Sequence, residues 1–152
     1  MTSINITPIG VIYSPYTTSK EIPGQGYLRE EVEAEIEIKD EYVNAMKDLD
    51  SFSHLVVLFY FHKSDKTILV GHPSWENEDH GVFALRSPHR PNHIGMTIVK
   101  VLKIKENLIT FTNVDMLDGT PVIDIKPYVG EFERIKNPKF GWLEKHRINK
   151  NI

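Results

Sequence analysis

Between Glu31 and Ile38 the chain alternates without a break, with Val32, Ala34, Ile36 and Ile38 set against Glu31, Glu33, Glu35 and Glu37. A period of two over this length marks a strand with one face in an apolar core and the other in water; a helix would scatter the same side chains around its axis. The glutamate row then belongs to solvent, not to an acid/base or metal site. Such a strand needs neighbours that cover its apolar face and pair its backbone. The sequence supplies them. Ile6 to Tyr13 is rich in β-branched residues, with Pro8 pointing to an edge or bulge. Phe52 to Phe61, FSHLVVLFYF, is apolar almost throughout and predicts a central strand covered on both sides. Ile94 to Leu102 and Leu108 to Val114 read as a hairpin turning at Glu106-Asn107, followed by the short, mostly apolar Val122 to Ile125.

One helix is expected. Asp40 stands where it can cap a segment whose Tyr42, Val43, Met46 and Leu49 share a stripe. Several strands with turn signals, one minor helix and no alternating βαβ pattern point to an all-β fold, a barrel or a sandwich, with antiparallel pairing at least along the hairpin.

At 152 residues and 40% hydrophobic content, the chain suits a single domain with a sizeable core. No apolar run reaches the roughly 20 residues needed to cross a bilayer, and MTSINITPIG lacks the pattern of a secretory signal, so the expected location is the cytoplasm. The absence of cysteine excludes disulfides, thiolate catalysis and the most specific zinc patterns. The net charge of -3 conceals an asymmetry: residues 126–152 carry seven Lys or Arg against three Glu, on an otherwise acidic body. A basic end of this kind suits phosphates or a solvated tail.

Chemistry concentrates between Gly81 and Gly95, GVFALRSPHRPNHIG. Arg86 and Arg90 offer planar forks of donors suited to a carboxylate, a phosphate or a ring face, and Pro88 and Pro91 pre-set the backbone that carries them. Gly24 and Gly26, in the loop from Thr17 to Leu28, let a partner approach closely. Lys63 to His80 is a long polar excursion, and Asp115 to Pro121 is a second loop dense in turn chemistry. His72, His80, His89 and His93 do not share a helix and have no cysteine to assist them, so no metal is expected. Ser87 before a proline has no nucleophile-elbow context, and no Walker or Rossmann glycine pattern follows Gly24 and Gly26. What remains is a pair of rigid loops offering Arg, Asn, Asp and backbone groups, a set suited to an amino-acid or nucleoside ligand.

These loops carry a resemblance. GVFALRSPHRPNHIG and the segment DMLDGTPVIDIKPY, Asp115 to Tyr128, are similar to the two signature segments of the TrmO/TsaA-like family, also called YaeB- or VirR-like, and IGVIYSPY from Ile9 to Tyr16 and FSHLVVLFYFH from Phe52 to His62 match it further. The likeness spans roughly residues 5–130 in four ordered motifs. It implies a single-sheeted antiparallel β-barrel that forms a homodimer, binds S-adenosyl-L-methionine and methylates the exocyclic nitrogen of threonylcarbamoyladenosine beside the tRNA anticodon. It departs from the family in two places, His93 where many relatives have proline and Leu85 where they often have threonine.

Carried over position by position, the resemblance implies cofactor contacts at Gly26, Tyr27 and Leu28, at His62 and Lys63, at Arg86 and Met96, and at Asp115, Met116, Leu117, Asp118, Gly119 and Thr120. Arg90, Asn92, Lys126 and Tyr128 are the residues expected to hold the nucleotide, by phosphate pairing and base stacking. The acceptor nitrogen is a poor nucleophile until its proton leaves, and Asp124, Tyr128 and His89 are candidate bases that the sequence does not separate. The expected organisation is a barrel domain over residues 1–130 and a basic tail over 131–152, without the separate C-terminal domain of the bacterial enzymes. Two rivals stand beside the tRNA reading, a sensor that binds S-adenosyl-L-methionine without catalysis and an enzyme methylating a small metabolite.

Overall fold

The Glu31–Ile38 alternation becomes a strand at Ala34–Ile38, with Ala34, Ile36 and Ile38 buried and Glu35 turned outward. The computed structural model describes residues 2–24 and 26–146, except for the side chains of Gly26 and Tyr27. Among the described residues eight strands follow in order: β1 Gly10–Tyr13, β2 Ala34–Ile38, β3 His54–Tyr60, β4 Val70–Gly71, β5 His80–Gly81, β6 Ile94–Lys105, β7 Leu108–Thr112 and β8 Thr120–Pro127. Six of them close into one antiparallel barrel in the order β1-β2-β7-β6-β3-β8, and β4 and β5 form a separate two-stranded ribbon. The all-β class and the single-sheeted barrel expected above are what the chain forms.

Closure removes every edge of the main sheet and leaves an interior that side chains must fill. Ile12, Ile36, Leu55, Val57, Val99, Ile109, Phe111, Val114, Met116 and Val122 fill it and are almost wholly buried. Gly10 opens β1 where a Cβ would overlap the carbonyl of Glu37 on β2, so the two strands close only over a glycine.

Several local expectations are corrected. The first strand starts at Gly10, not Ile6, and Ile4 and Ile6 are exposed; Pro8 brings no amide hydrogen with which to extend the ladder. The amphipathic helix over Asp40 to Leu49 is replaced by two 3-10 turns, Asp40–Met46 and Leu49–Ser51, and Asp40 makes no side-chain cap. Asp48 between them takes φ 67, and that left-handed residue interrupts any continuous helix. The one α-helix among the described residues, α1, is the single turn Gly130–Glu133.

The Phe52–Phe61 segment is not covered on both sides. Within β3, Leu55, Val57 and Phe59 point into the barrel, whereas Val56 and Leu58 are half-buried and Tyr60 is exposed. The hairpin turns at Glu106-Asn107 as expected, but β6 runs on to Lys105 through a bulge between Val101 and Lys103, and β7 ends at Thr112. The last barrel strand is likewise longer than Val122 to Ile125. The polar excursion of residues 63–80 contains β4, which pairs with β5, an element too short to leave a period in the sequence.

Candidate functional site

Strand β3 carries its apolar run to one rim of the barrel, and there the chain turns through Phe61, His62 and Lys63. A cavity of about 590 Å³ opens at this rim. Its wall is built from the loop after β1 (Thr17 to Gly24), the end of β3 (Phe59 to Ser64), the Arg86–Arg90 segment, the start of β6 (Ile94 to Thr97), and Asp115 to Leu117 with Thr120. The two sequence segments of densest chemistry thus face each other across one space.

Each wall segment is held by identifiable bonds. Glu21 accepts hydrogen bonds from the amides of Thr17 and Thr18 at 2.8 and 2.7 Å, which folds the glycine-containing loop back on itself. Lys63 Nζ donates to the Thr17 carbonyl at 3.3 Å and ties that loop to the end of β3. Arg90 donates through Nη1 to the Leu85 carbonyl at 2.9 Å, and His89 Nδ1 lies 2.9 Å from Ser64 Oγ, so the pre-set Arg86–Arg90 turn is braced at both ends. Asp118 accepts from the Ser14 amide at 3.0 Å, and the amides of Asp118 and Gly119 donate to Tyr16 and Ile12 at 2.8 Å; Gly119 takes φ 76, where glycine is least strained. Beneath the cavity Phe59 and Phe61 meet edge to face at 5.1 Å, in space that only Gly95 leaves open, since a Cβ there would overlap the Phe59 ring.

The electrostatics are lopsided. Lys63, Arg86 and Arg90 bring three cationic side chains, and Asp115 is the one carboxylate among the described residues of the wall. Burial pushes the Asp115 carboxyl up to about 6, against the opposing pull of the Thr97 hydroxyl, its own amide and the Arg86 guanidinium. Thr97 Oγ1 lies 2.6 and 2.8 Å from the two carboxyl oxygens. Burial also lowers the pKa of His62, with Lys63 adding to the effect and Asp118 opposing it. The imidazole thus favours its neutral form near pH 7.

Of the residues singled out from sequence, His62, Lys63, Arg86, Met96, Asp115, Met116, Leu117, Thr120 and Arg90 meet at this cavity. Asp118 and Gly119 stand behind its wall in the turn that positions Met116 and Leu117. Leu28 is exposed in the 3-10 turn Gly26–Arg29, and the side chains of Gly26 and Tyr27 lie outside the described residues. Asn92 occupies a tight turn at φ 63, beside His93 at φ 48, a backbone angle that the proline of related segments cannot adopt. Lys126 and Tyr128 are not brought to the cavity. Lys126 pairs with Val56 and Tyr128 lies beside His54, about 10 and 17 Å along β3 from Phe59 in the cavity wall. Asp124 pairs with Lys126 at 2.7 Å on the outer face of the barrel.

Thr97 and the Thr17–Ser19 backbone were not marked by any motif, and Phe59 and Phe61, although inside the FSHLVVLFYFH match, were not singled out as site residues. Thr97 had a signal: a polar residue at the inward register position between Gly95 and Val99. Part of the C-terminal basic charge is also engaged, because Lys145 pairs with Glu76 and Glu78, each at 3.2 Å. Arg147 and Lys150 lie outside the described residues.

Comparisons with known proteins now bear on this geometry. The family model of the tRNA-methyltransferase O N-terminal domain matches residues 11–134. A probable S-adenosyl-L-methionine-binding protein of Pyrococcus abyssi is 41% identical over 145 residues, which is 94% of this chain and 79% of that protein. A tRNA (adenine(37)-N6)-methyltransferase of Mus musculus is 36% identical over 137 residues, covering 86% of this chain but 32% of the longer mouse protein. Among solved structures, the crystal structure of TrmO from Pseudomonas aeruginosa superposes with a TM-score of 0.79 at 32% identity, over 92% of this chain and 62% of that one. The chain therefore spans somewhat under two thirds of the solved relative's length.

Proposed function

The chain belongs to the family of the tRNA-methyltransferase O N-terminal domain, and from that premise we propose that it binds S-adenosyl-L-methionine in the barrel-rim cavity and methylates the N6 nitrogen of an adenine beside the tRNA anticodon. The observation that carries this reading is the cavity itself, in which apolar rings, one set of guanidinium and ammonium groups and a single carboxylate converge.

The ligand is a nucleoside joined to a charged amino acid, and the wall fits both parts. A cavity of about 590 Å³ falls within the range of roughly 300–1,000 Å³ usual for such molecules. Phe59, Phe61, Met116 and Leu117 offer apolar surface for an adenine, and Arg86 offers a fork for the amino-acid carboxylate. Bound there, S-adenosyl-L-methionine supplies an electrophilic methyl group on a sulfonium sulfur. The protein's part is positioning: Lys63 and the Glu21-folded loop hold one side, and the braced Arg86–Arg90 turn holds the other. Arg90, in the cavity wall, is assigned to the RNA backbone, and threonylcarbamoyladenosine is the proposed form of the acceptor. The printed activity of the mouse relative supports an adenine N6 acceptor in tRNA.

We also propose a homodimer. On the outer face, Val56 pairs with Ile98, Leu58 with Met96 and Tyr60 with Ile94, an apolar strip on a surface where antiparallel sheets usually show polar residues. Ile94 and Met96 belong both to that strip and to the cavity wall, so a second copy on this face would border the site.

Labelled S-adenosyl-L-methionine is incubated with the protein and with tRNA that does or does not carry threonylcarbamoyladenosine, and the nucleosides are then identified. Label confined to the modified tRNA is the expected result. Binding of the methyl donor with transfer to neither tRNA would favour the sensor reading, in line with the binding named for the Pyrococcus abyssi relative. Transfer to a small acceptor, insensitive to salt, would favour a metabolite enzyme, because phosphate contacts release counterions.

A further inference from the structure

Asp115 is placed oddly for a residue that only binds. It is the one carboxylate among the described residues of a wall that also carries Lys63, Arg86 and Arg90, and it is half-buried. Thr97 reaches it from β6, at a register position otherwise given to the barrel core: Gly95 and Val99 on either side point inward, and Val57 faces Thr97 across the ladder. A polar pair set into apolar surroundings costs stability unless each group is satisfied. The Thr97 hydroxyl has one hydrogen and lies within 2.8 Å of both carboxyl oxygens, so it satisfies one oxygen at a time and leaves acceptor capacity on Asp115 for a second donor.

Resting on the proposed transfer to an adenine N6, we infer that Asp115 is the general base that removes the proton from that nitrogen, and that Thr97 is the positioning residue that aims its carboxylate. The step balances. The N6–H bond breaks and its proton passes to a carboxyl oxygen of Asp115; the freed electron pair on nitrogen forms the N–CH3 bond; the S–CH3 bond breaks, and its electrons stay on sulfur, which leaves as a neutral thioether. Solvent removes the proton from Asp115 after release.

The other candidates are less well placed. Asp124 is held by Lys126 at 2.7 Å on the outer face, and Tyr128 lies at the far end of β3. His89 has Nδ1 engaged 2.9 Å from Ser64 Oγ, and His62 lies 3.5 Å from the Thr120 hydroxyl, which already donates to the Leu117 carbonyl at 2.7 Å. The charged and titratable groups sharing the cavity with Asp115 are His62 and Lys63 after β3, and Arg86, His89 and Arg90 before β6. Burial raises the carboxyl to about 6, ionised at neutral pH yet more basic than an exposed aspartate.

Two measurements test the inference, one of them independent of turnover. In the free protein, the Asp115 carboxyl carbon is titrated by NMR; a midpoint near 6 is expected, moving upward in Thr97→Val, which removes the hydroxyl that steadies the ionised form. Single-turnover methylation is then followed against pH with tRNA carrying threonylcarbamoyladenosine. The rate should rise through the same midpoint, the limb should shift upward in Thr97→Val and return in Thr97→Ser, and Asp115→Asn, measured at saturating S-adenosyl-L-methionine so that any loss of donor affinity does not enter, should slow transfer on the order of 10²–10⁴-fold. Transfer by Asp115→Asn with an unchanged rate and pH profile overturns the base assignment alone, as does a carboxyl that titrates at the ordinary aspartate value of 3.8. A wild-type protein that binds the methyl donor but methylates no tRNA overturns the functional reading and the base with it.

Discussion

Trp142 lies flat on His80, ring centroids 4.1 Å apart and planes 16° from parallel, and its indole nitrogen donates to the Ala84 carbonyl at 2.9 Å. Trp75 also stacks on Trp142, with ring centroids 5.7 Å apart. This contact joins the 3-10 turn Gly141–His146 to the β5 strand and to the residues just before Arg86. The C-terminal segment is therefore fastened to the stretch that leads into Arg86.

Trp142→Ala should loosen that fastening without melting the barrel. The half-buried indole loses its stacking and its hydrogen bond, a local cost of about 2 kcal/mol, below the range for a fully buried Trp. Hydrogen exchange should speed up over residues 130–146 and around Ala84, with β3, β6 and β8 protected as before. Weaker binding of the methyl donor should accompany it; uniform loss of protection across the barrel would show that the segment is part of the core instead.

Glu76 makes the polar half of the same fastening. It accepts from the amides of Asn77 and Glu78 at 2.7 and 3.1 Å, lies 2.8 Å from His146 Nε2 and 3.2 Å from Lys145 Nζ, and faces His80 Nε2 at 3.7 Å. These contacts, His146 first, hold its carboxyl well below the ordinary 4.5. A carboxyl depressed in the folded state stabilises above its unfolded pKa, and that contribution fades as pH falls below about 4.5. Glu76→Gln should therefore destabilise near pH 7 and differ less and less from wild type on acidification, read as two denaturant midpoints. Equal deficits at both pH values would remove the ionic account.

Much of the barrel was legible because β2 advertises its faces: glutamates alternate with apolar residues, and only one assignment buries the latter. Strands β3 and β6 were legible as strands but not in orientation. In β6 the outward Ile94, Met96 and Ile98 are as apolar as the inward side, so neither face could be identified as the core. The rim residues from His62 to Arg90 could be named from motif likeness, yet the separation of Lys126 and Tyr128 from them depends on strand register, which no local pattern encodes. The Trp142–His80 stack joins residues far apart in sequence, and nothing along the chain announces it.

Gly95→Ala tests the packing under the cavity. A methyl group there would overlap the buried Phe59 ring and press on Phe61 at 2.9 Å, so the aromatic pair must shift. Overpacking of this kind costs about 1–3 kcal/mol and should displace the aromatic floor, so a lowered melting temperature and weakened nucleoside binding are expected together. A variant as stable as wild type would show that the floor can yield.

The apolar outer strip predicts a charge-sensitive assembly. Ile98 is 40% exposed, so Ile98→Glu should leave the folded monomer within about 0.5 kcal/mol of wild type while placing a charge in the proposed interface. Light scattering should report a dimer for wild type and a monomer for the variant. Two monomers would leave the strip without a partner of this kind.

At Asp115 stability and chemistry are coupled. Its folded pKa of about 6 stands above the ordinary 3.8, so the native state holds its proton more tightly than the unfolded chain does. The sign follows: below about 3.8 the carboxyl costs nothing, and as pH rises through about 6 the folded protein must carry a buried charge that the unfolded chain carries in water. At about 1.4 kcal/mol for each pKa unit, the full burden above pH 6 is about 3 kcal/mol. Asp115→Asn keeps an acceptor for the Thr97 hydroxyl but carries no charge. It should be more stable than wild type by about 1–3 kcal/mol near pH 8, and this advantage should vanish near pH 4, as read from denaturant midpoints. A group retained at that cost is expected where its charge is used, so a stabilised but inactive Asp115→Asn would link the penalty to the reaction. A variant less stable than wild type at pH 8 would mean that the carboxylate is held by partners strong enough to offset its burial, and that it is too weak a base for the role assigned to it.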